Sequence, residues 1–285
     1  NRATCRGDDF EDGAGGAALE AGKLSPDASF SCHGVYHKIH CWKRGGHGPV
    51  SFTDAIAQSC NVAFMQMAEQ VGIATLERMA ARFALGQAVE LLPRVAPLLA
   101  DPNAPTPRLT GIIPEQAGLV PGPRWAKQVR RSPWMLGETL QVGIGQSSLG
   151  VTPLQAARIV AAFANGGRLV HPRLVLRVGH APVDVQPPTP LGLKAGTLTR
   201  IARGLRAVTQ GEGTAHALDP ALRIAGKTGT AQNPGPDHAW FAGYAPADAP
   251  KIAVVVLVEH GGHGGATSAP IAEQIIRAAL RPDGQ

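Results

Sequence analysis

RIAGKTGTAQ, residues 223–232, reads as a β-strand, and together with the two apolar runs downstream of it decides the fold. HAWFAGY (residues 238–244) and IAVVVLVE (residues 252–259) are those runs, both short and rich in β-branched and aromatic residues. Turn-forming Pro, Gly and Asp separate the three, so they form consecutive antiparallel strands. A helical pattern over residues 268–280 closes the chain, and its apolar stripe must be buried on the sheet beside it.

Upstream of this sheet the pattern is mostly helical. Residues 51–71 read as a pair of helices carrying Ile56, Val62, Phe64, Met67 and Val71, and residues 73–85 continue as helix to a stop at Gly86. Residues 151–165 form an amphipathic helix with Leu154, Ala157, Val160, Ala161 and Ala164 on one face, ended by Gly166-Gly167. Residues 198–209 are a further helix, 168–177 a strand, and 17–22 a short helical piece with Gly22 as its stop. Residues 1–16 are acidic and Gly-rich without periodicity, and 28–50 are loop-like. From 87 to 127 Pro recurs at 93, 97, 102, 105, 107, 114, 121 and 123, which gives a long connection with one helical turn around 89–92. Helices first, then an antiparallel sheet, then a packing helix predict an α/β fold, a sheet flanked by helices with a separate all-helical lobe.

Bulk properties agree with a globular chain. It has 285 residues, 44% hydrophobic and 17% charged, with 35 Gly and 24 Pro for its many turns. The 27 Lys and Arg exceed the 21 Asp and Glu by six, and a basic surface favours anionic partners. No Lys/Arg run interleaved with aromatics marks a nucleic-acid site. No apolar stretch reaches the roughly 18 residues that span a bilayer. The chain opens on Asn1 without a signal peptide, so a processed or excised piece is expected, with any anchor outside it.

Chemistry concentrates at three places. Lys227-Thr228-Gly229-Thr230 sets a cation, two hydroxyls and a close-approach glycine on a strand, equipment for a carboxylate and a developing oxyanion. Ser59-Cys60-Asn61, in AIAQSCNVAF, falls on a turn between helices, with Ser59 and Asn61 pointing to one side and Cys60 to the other. Cys32, Cys41, His47 and Cys60 can supply a tetrahedral Cys3His set suited to structural zinc. A Cys32–Cys41 disulfide or free thiols are the other readings of those cysteines, and Cys5 fits none of them. His33, His37 and His40 read as a solvated loop face.

An SxN followed downstream by KTG resembles the second and third motifs of the penicillin-recognising serine enzymes. VGIGQSSLGVTPLQAARIVAAFANGG, HAWFAGYAP and EHGGHGGATSAPIAEQI resemble class B penicillin-binding proteins. ALEAGKLSPD and CWKRGGHGPVSFTDAIAQSCN resemble the elongation-type group, penicillin-binding protein 2, and the resemblance covers residues 13–86 and 110–282. It implies a transpeptidase domain over residues 1–285. In that family an active-site Ser attacks the penultimate D-Ala carbonyl of a peptidoglycan stem peptide, D-Ala leaves, and the amine of a second stem peptide takes the acyl group. It implies Ser59 in proton transfer, Asn61 on the acyl-side amide, and Lys227 as a source of positive potential. Thr228 and Thr230 would hold the terminal carboxylate beside Gly229, and the Thr230 N–H would be half of the oxyanion hole. The resemblance also implies a metal site at Cys32, Cys41, His47 and Cys60, β-lactams as ligands, elongation-machinery membrane proteins as partners, and the periplasmic face of the inner membrane as location.

Two departures stand out. The family places a stretch like PGSTFKP shortly before ALEAG, supplying the nucleophilic Ser and its Lys. Here that frame reads Gly7-Asp8-Asp9-Phe10-Glu11-Asp12, with Asp8 for Ser and Glu11 for Lys, and no Ser-x-x-Lys occurs anywhere in the chain. Residues 1–16 are therefore expected to be an altered or disordered nucleophile segment. Either the domain is a transpeptidase whose nucleophile segment is changed, or it is a catalytically silent, zinc-stabilised binding module. The second departure is an insertion near residues 87–108.

Overall fold

The computed structural model describes residues 5–6, 11–25, 27–91, 116–178, 180–183, 185–232 and 235–281. The three expected strands are there: Ala225–Ala231, His238–Ala245 and Ile252–Val258 form one antiparallel sheet in that order. Lys227 pairs with Ala242 and Gly229 with Trp240 across the first ladder. Every residue from Ala239 to Ala245 in the middle strand is buried, although neighbours point to opposite faces, so both faces of the sheet are covered. Helices Pro153–Ala164 and Gly264–Ala279 pack on the sheet, and helix Ala195–Ala207 packs against its KTG strand.

The helical lobe comprises Glu11–Glu20, Phe52–Ala57, Asn61–Val71, Ile73–Arg82 and Leu136–Gly143. It is not separate in the sense expected. One hydrophobic cluster runs from Ala14 through Phe64, Leu140 and Ile201 to Trp240 and Ile276. Helix Ala195–Ala207 is the bridge: a Cβ on Gly204 would stand 2.5 Å from Ile56 Cδ1, so only glycine lets it lie this close to helix Phe52–Ala57.

Other expectations need correcting. The helix expected at residues 17–22 begins at Glu11, inside the stretch read as aperiodic, and Cys5–Arg6 pairs with Gly150–Val151. The frame positions Gly7, Asp8, Asp9 and Phe10 lie outside the described residues. The expected strand at 168–177 is two short pairings: Arg168–Leu169 with Thr189–Pro190, and Arg177–Val178 with Ala181–Pro182. Pro172 lies between them and has no N–H to continue a ladder. The connection from residue 87 is shorter than expected, because Pro123–Trp125 and Ala126–Arg130 are helical. Residues 89–91 carry no helical turn, and residues 92–115, with most of the stretch expected to be an insertion, lie outside the described residues. No helix among the described residues is long and apolar enough to cross a membrane.

Glu20 locks the lobe to the bridging helix. Its Oε1 accepts from the Lys194 N–H at 2.9 Å and the Thr197 hydroxyl at 2.6 Å, at the start of helix Ala195–Ala207. Burial raises the Glu20 pKa, but the Thr197 and Lys194 hydrogen bonds and the charges of Lys194 and Arg82 outweigh it and hold the carboxyl below its ordinary value. A depressed carboxylate stabilises the fold above its unfolded pKa, so this contribution is complete above about pH 4.5 and is lost as pH falls through the lower folded value. Glu20→Ala is expected to cost about 1–2 kcal/mol at neutral pH, the loss of two bonds to a helix start. That is a fall of roughly 3–6 °C in melting temperature. An unchanged melting curve at pH 7 would refute the assignment.

Candidate active site

Ser59 sits on a turn that the sequence builds in an unusual way. Helix Phe52–Ala57 ends with Cys60 N–H donating to Ala55 O at 2.9 Å and Ser59 N–H to Ile56 O at 3.2 Å, the paired closure that usually has glycine at the left-handed position. Here Ser59 holds that position with φ 49°. A serine there costs about 1 kcal/mol or more, so the surroundings must hold it. They do so from two sides: Trp42 Nε1–H donates to the carbonyls of Gln58 and Ser59, both at 3.0 Å, and Lys227 Nζ donates to Ser59 Oγ at 2.8 Å.

Lys227 is completely buried, and its ammonium also donates to the Thr228 carbonyl at 2.8 Å. Thus two side chains 168 positions apart meet, as the motif pair implied. The Thr230 carbonyl accepts from Gln146 Nε2 at 3.4 Å. The N–H and C=O of one strand residue point to the same side, so the Thr230 N–H lies along this outer edge of the strand, away from its partner His238–Ala245. The Thr228 hydroxyl shares a 2.6 Å hydrogen bond with Thr214, whose N–H donates to Ala57 O at 3.0 Å. Asn61, first residue of helix Asn61–Val71, turns Nδ2 to within 3.4 Å of the His40 carbonyl.

Ser59 reaches Lys227, whereas Cys60 and Asn61 both reach the loop of residues 32–47, so the expected split of Ser59 and Asn61 from Cys60 is not what the contacts give. The Cys60 thiol joins Cys32, Cys41 and His47 in a group whose ligand atoms all lie within 4.8 Å of one another, a cluster that could hold a metal ion. His47 Nδ1 is 3.6 Å from Cys32 Sγ and 3.5 Å from Cys41 Sγ. Cys32, Cys41 and Cys60 are buried and unbridged, so the disulfide reading does not hold. The hydrogen bond from Cys60 holds the Cys41 thiol well below its ordinary range, and donating that bond while buried pushes Cys60 up. His33, His37 and His40 are exposed and stay outside the group.

Trp42, Thr214 and Gln146 were not singled out by sequence. Each acts through a backbone carbonyl or a partner hydroxyl from a loop, and only the quoted family-like stretches around Trp42 and Gln146 gave any signal.

Comparison with known proteins agrees with this geometry. The family described as "Penicillin binding protein transpeptidase domain" matches residues 14–101 and 106–277, beginning after the frame Gly7 to Asp12. The chain is 34% identical over 273 residues to the peptidoglycan D,D-transpeptidase MrdA of Acinetobacter baumannii, covering 86% of this chain and 37% of that protein. The crystal structure of Pseudomonas aeruginosa PBP2 in complex with WCK 5153 superposes with a TM-score of 0.87 at 33% identity, over 99% of this chain and 60% of that one. PBP2 of Helicobacter pylori in its complex with MreC gives 0.80 at 26%, over 97% and 49%. The chain spans less than half the length of the curated relatives it matches. It belongs to the penicillin-binding protein transpeptidase domain family, in the class B branch of penicillin-binding protein 2.

Proposed function

We propose that the groove between Ser59, Asn61 and residues 227–230 is the peptide site of a peptidoglycan D,D-transpeptidase of the elongation type, and that it also takes β-lactams as mimics of D-Ala-D-Ala. The 2.8 Å bond from Lys227 Nζ to Ser59 Oγ carries this reading, because it joins the second and third motifs into one constellation. The buried ammonium lowers the cost of proton movement through Ser59 and draws the peptide's terminal carboxylate toward the strand. Thr228 and Thr230, with Thr214 alongside, bind that carboxylate. Asn61 binds the amide on the acyl side, and the Thr230 N–H faces the developing oxyanion. In the whole protein the reaction breaks the amide between the two D-Ala residues, forms a seryl ester, and passes the acyl group to an amine of a second stem peptide. Its setting is the periplasmic face of the inner membrane, beside membrane proteins of the elongation machinery.

A second reading rests on one observation, the absence of Ser-x-x-Lys from the sequence. Asp8 and Glu11 cannot replace a hydroxyl and the neutral base that activates it. On this reading the 285-residue chain binds peptide without acylation. Intact-mass spectrometry after treatment with a fluorescent penicillin is expected to show no stoichiometric adduct, while the penicillin competes reversibly for a D-Ala-D-Ala peptide. An adduct overturns the silent reading, and peptide mapping then names the nucleophile. Failure to compete, with Lys227→Ala binding peptide as well as the unmodified chain, overturns the peptide-site proposal itself.

The Cys3His cluster fits zinc. A tetrahedral ion with Zn–S near 2.3 Å and Zn–N near 2.0–2.1 Å sets sulfur and nitrogen ligands about 3.6 Å apart. The two sulfur–nitrogen separations from His47 Nδ1 are 3.5 and 3.6 Å. Cys32, Cys41, His47 and Cys60 would hold the ion, and its contribution is structural: it replaces thiol hydrogen bonds by bonds that fix Cys60, and with it the turn of Ser59 and Asn61.

A further inference from the structure

Two histidines meet at the end of the sheet where the KTG strand stops, and neither has a part in the peptide site described above. His238 begins the middle strand, His238–Ala245, and His260 lies in the turn after strand Ile252–Val258. Their rings stand edge to face, with centroids 4.8 Å apart. We infer that this pair is a positioning device of the peptide site: it pins the loop that leaves the KTG strand and so fixes where Thr230 presents its hydroxyl and N–H. This rests on the peptide-site reading of the groove and deepens it.

Hydrogen bonding fixes the proton on each ring. The His260 N–H donates to His238 Nδ1 at 2.9 Å, so that nitrogen holds no proton and His238 carries its own on Nε2. His260 Nδ1 lies 3.0 Å from the Pro236 carbonyl, which can only accept, so His260 keeps a proton on Nδ1. The Gly262 N–H donates to the Asp237 carbonyl at 2.9 Å. Residues 260–262 thus hold 236, 237 and 238 in turn. His260 adopts φ 56° although Gly261 and Gly262 follow it. A left-handed conformation is uncommon outside glycine and persists where the surroundings over-determine it. Here the bonds to Pro236 and His238 do so, and both involve a histidine ring.

Strand register carries this to the site. His238 is paired with Ala231, and Ala239 with Thr230, so the pinned residue is next to the rung that holds Thr230. From the other side, the chain beyond His260 runs into Gly264, where a Cβ would stand 2.4 Å from the Gly229 carbonyl oxygen. The Thr267 hydroxyl donates to the Gly261 carbonyl at 2.8 Å and ties the turn to that helix. The end of the KTG strand is therefore held by the helix start on one side and by the pinned loop on the other. Without the histidine bonds the loop and the last rung of the ladder are free to part from the turn, and Thr230 moves with them.

The test uses side-chain amides that each copy one ring nitrogen. His238→Asn sets an amide oxygen where Nδ1 stands and can still accept the His260 N–H, whereas His238→Gln reaches to the Nε2 position and leaves that N–H unpaired. Imidazole nitrogen NMR of the unmodified chain is expected to show the His238 proton on Nε2 and a proton on His260 Nδ1. By calorimetric titration with a D-Ala-D-Ala pentapeptide, His238→Asn is expected to bind within about twofold of the unmodified chain and His238→Gln about five- to tenfold more weakly, the scale of one lost hydrogen bond. Lys227→Ala should weaken binding whichever residue stands at 238, which reports on the groove and not on the histidines. If His238→Gln binds as tightly as His238→Asn while Lys227→Ala still weakens binding, the positioning role falls and the peptide site stands. The role falls too if both variants at 238 weaken binding equally, or if His238 carries its proton on Nδ1. If the unmodified chain binds no peptide, the peptide-site reading falls and takes the positioning role with it.

Discussion

Stripping metal from the purified domain with a strong zinc chelator is expected to lower its melting temperature by roughly 10–15 °C, the equivalent of about 3–5 kcal/mol for a domain of this size. The domain has its own hydrophobic core, so it should not unfold outright as a zinc finger does. The loss is still large, because four donors that point at one another are left with two weak sulfur–nitrogen contacts, a Cys60–Cys41 bond and backbone N–H bonds in place of four metal bonds. Elemental analysis before chelation should give about one zinc per chain. Cys60→Ser should bind far less than one equivalent, melt in the same lowered range, and gain nothing more from chelator. It should also weaken binding of a D-Ala-D-Ala peptide, since Cys60 stands between Ser59 and Asn61. A metal-free preparation whose melting is indifferent to chelator would end the zinc assignment.

The sheet was legible because its signals are local. Three runs of β-branched and aromatic residues with turns between them leave little choice, and both faces turned out to be covered. Only the end of helix Glu11–Glu20 was legible, for a physical reason. Its buried face is built from Gly15, Gly16, Ala14, Ala17 and Ala18, which carry no apolar periodicity. The small residues are there because neighbours press close: a Cβ on Gly15 would stand 2.9 Å from the Phe52 ring. Helix Leu136–Gly143 escaped notice too. It is short, and its start is set from one side only, by Glu138 Oε2 accepting the Met135 N–H at 2.9 Å, without the usual Ser or Thr.

At the site, residue type carried the reading as far as Ser59, Lys227 and the Cys3His group, because each has chemistry that few positions need. What remained hidden was what holds them. Trp42 lies in an irregular loop and is more than half exposed, so no periodicity marks it, yet it holds the carbonyl of a serine in a left-handed conformation. Thr214 looks like any loop threonine until the chain folds Thr228 against it. Such supporting roles depend on contacts between segments far apart in sequence, and a single sequence carries no record of them.

Gly264→Ala is expected to destabilise the domain by about 3 kcal/mol or more, at the upper end for an inserted methyl group, and to weaken peptide binding at least tenfold. Gly264 starts helix Gly264–Ala279, which lies against the KTG strand. A Cβ there would stand 2.1 Å from the Trp240 carbonyl oxygen, 2.4 Å from that of Gly229 and 3.0 Å from the Gly229 nitrogen. All three are backbone atoms of one ladder rung, Gly229 paired with Trp240, and they have no rotamer by which to retreat. The helix must lift or the rung must shift. Either movement displaces Lys227 and Thr228 on one side of Gly229 and Thr230 on the other. Lifting the helix also disturbs Gly265, where a Cβ would meet the Thr214 carbonyl oxygen at 2.2 Å, so the Thr214–Thr228 bond is loosened with it. Gly137→Ala is the control, because its Cβ would enter open space in another helix, and it should be neutral or stabilise slightly. The expected fall in melting temperature for Gly264→Ala is roughly 6–12 °C. If the variant melts within a degree or two of the unmodified chain and binds peptide equally well, the helix start does not support the KTG strand.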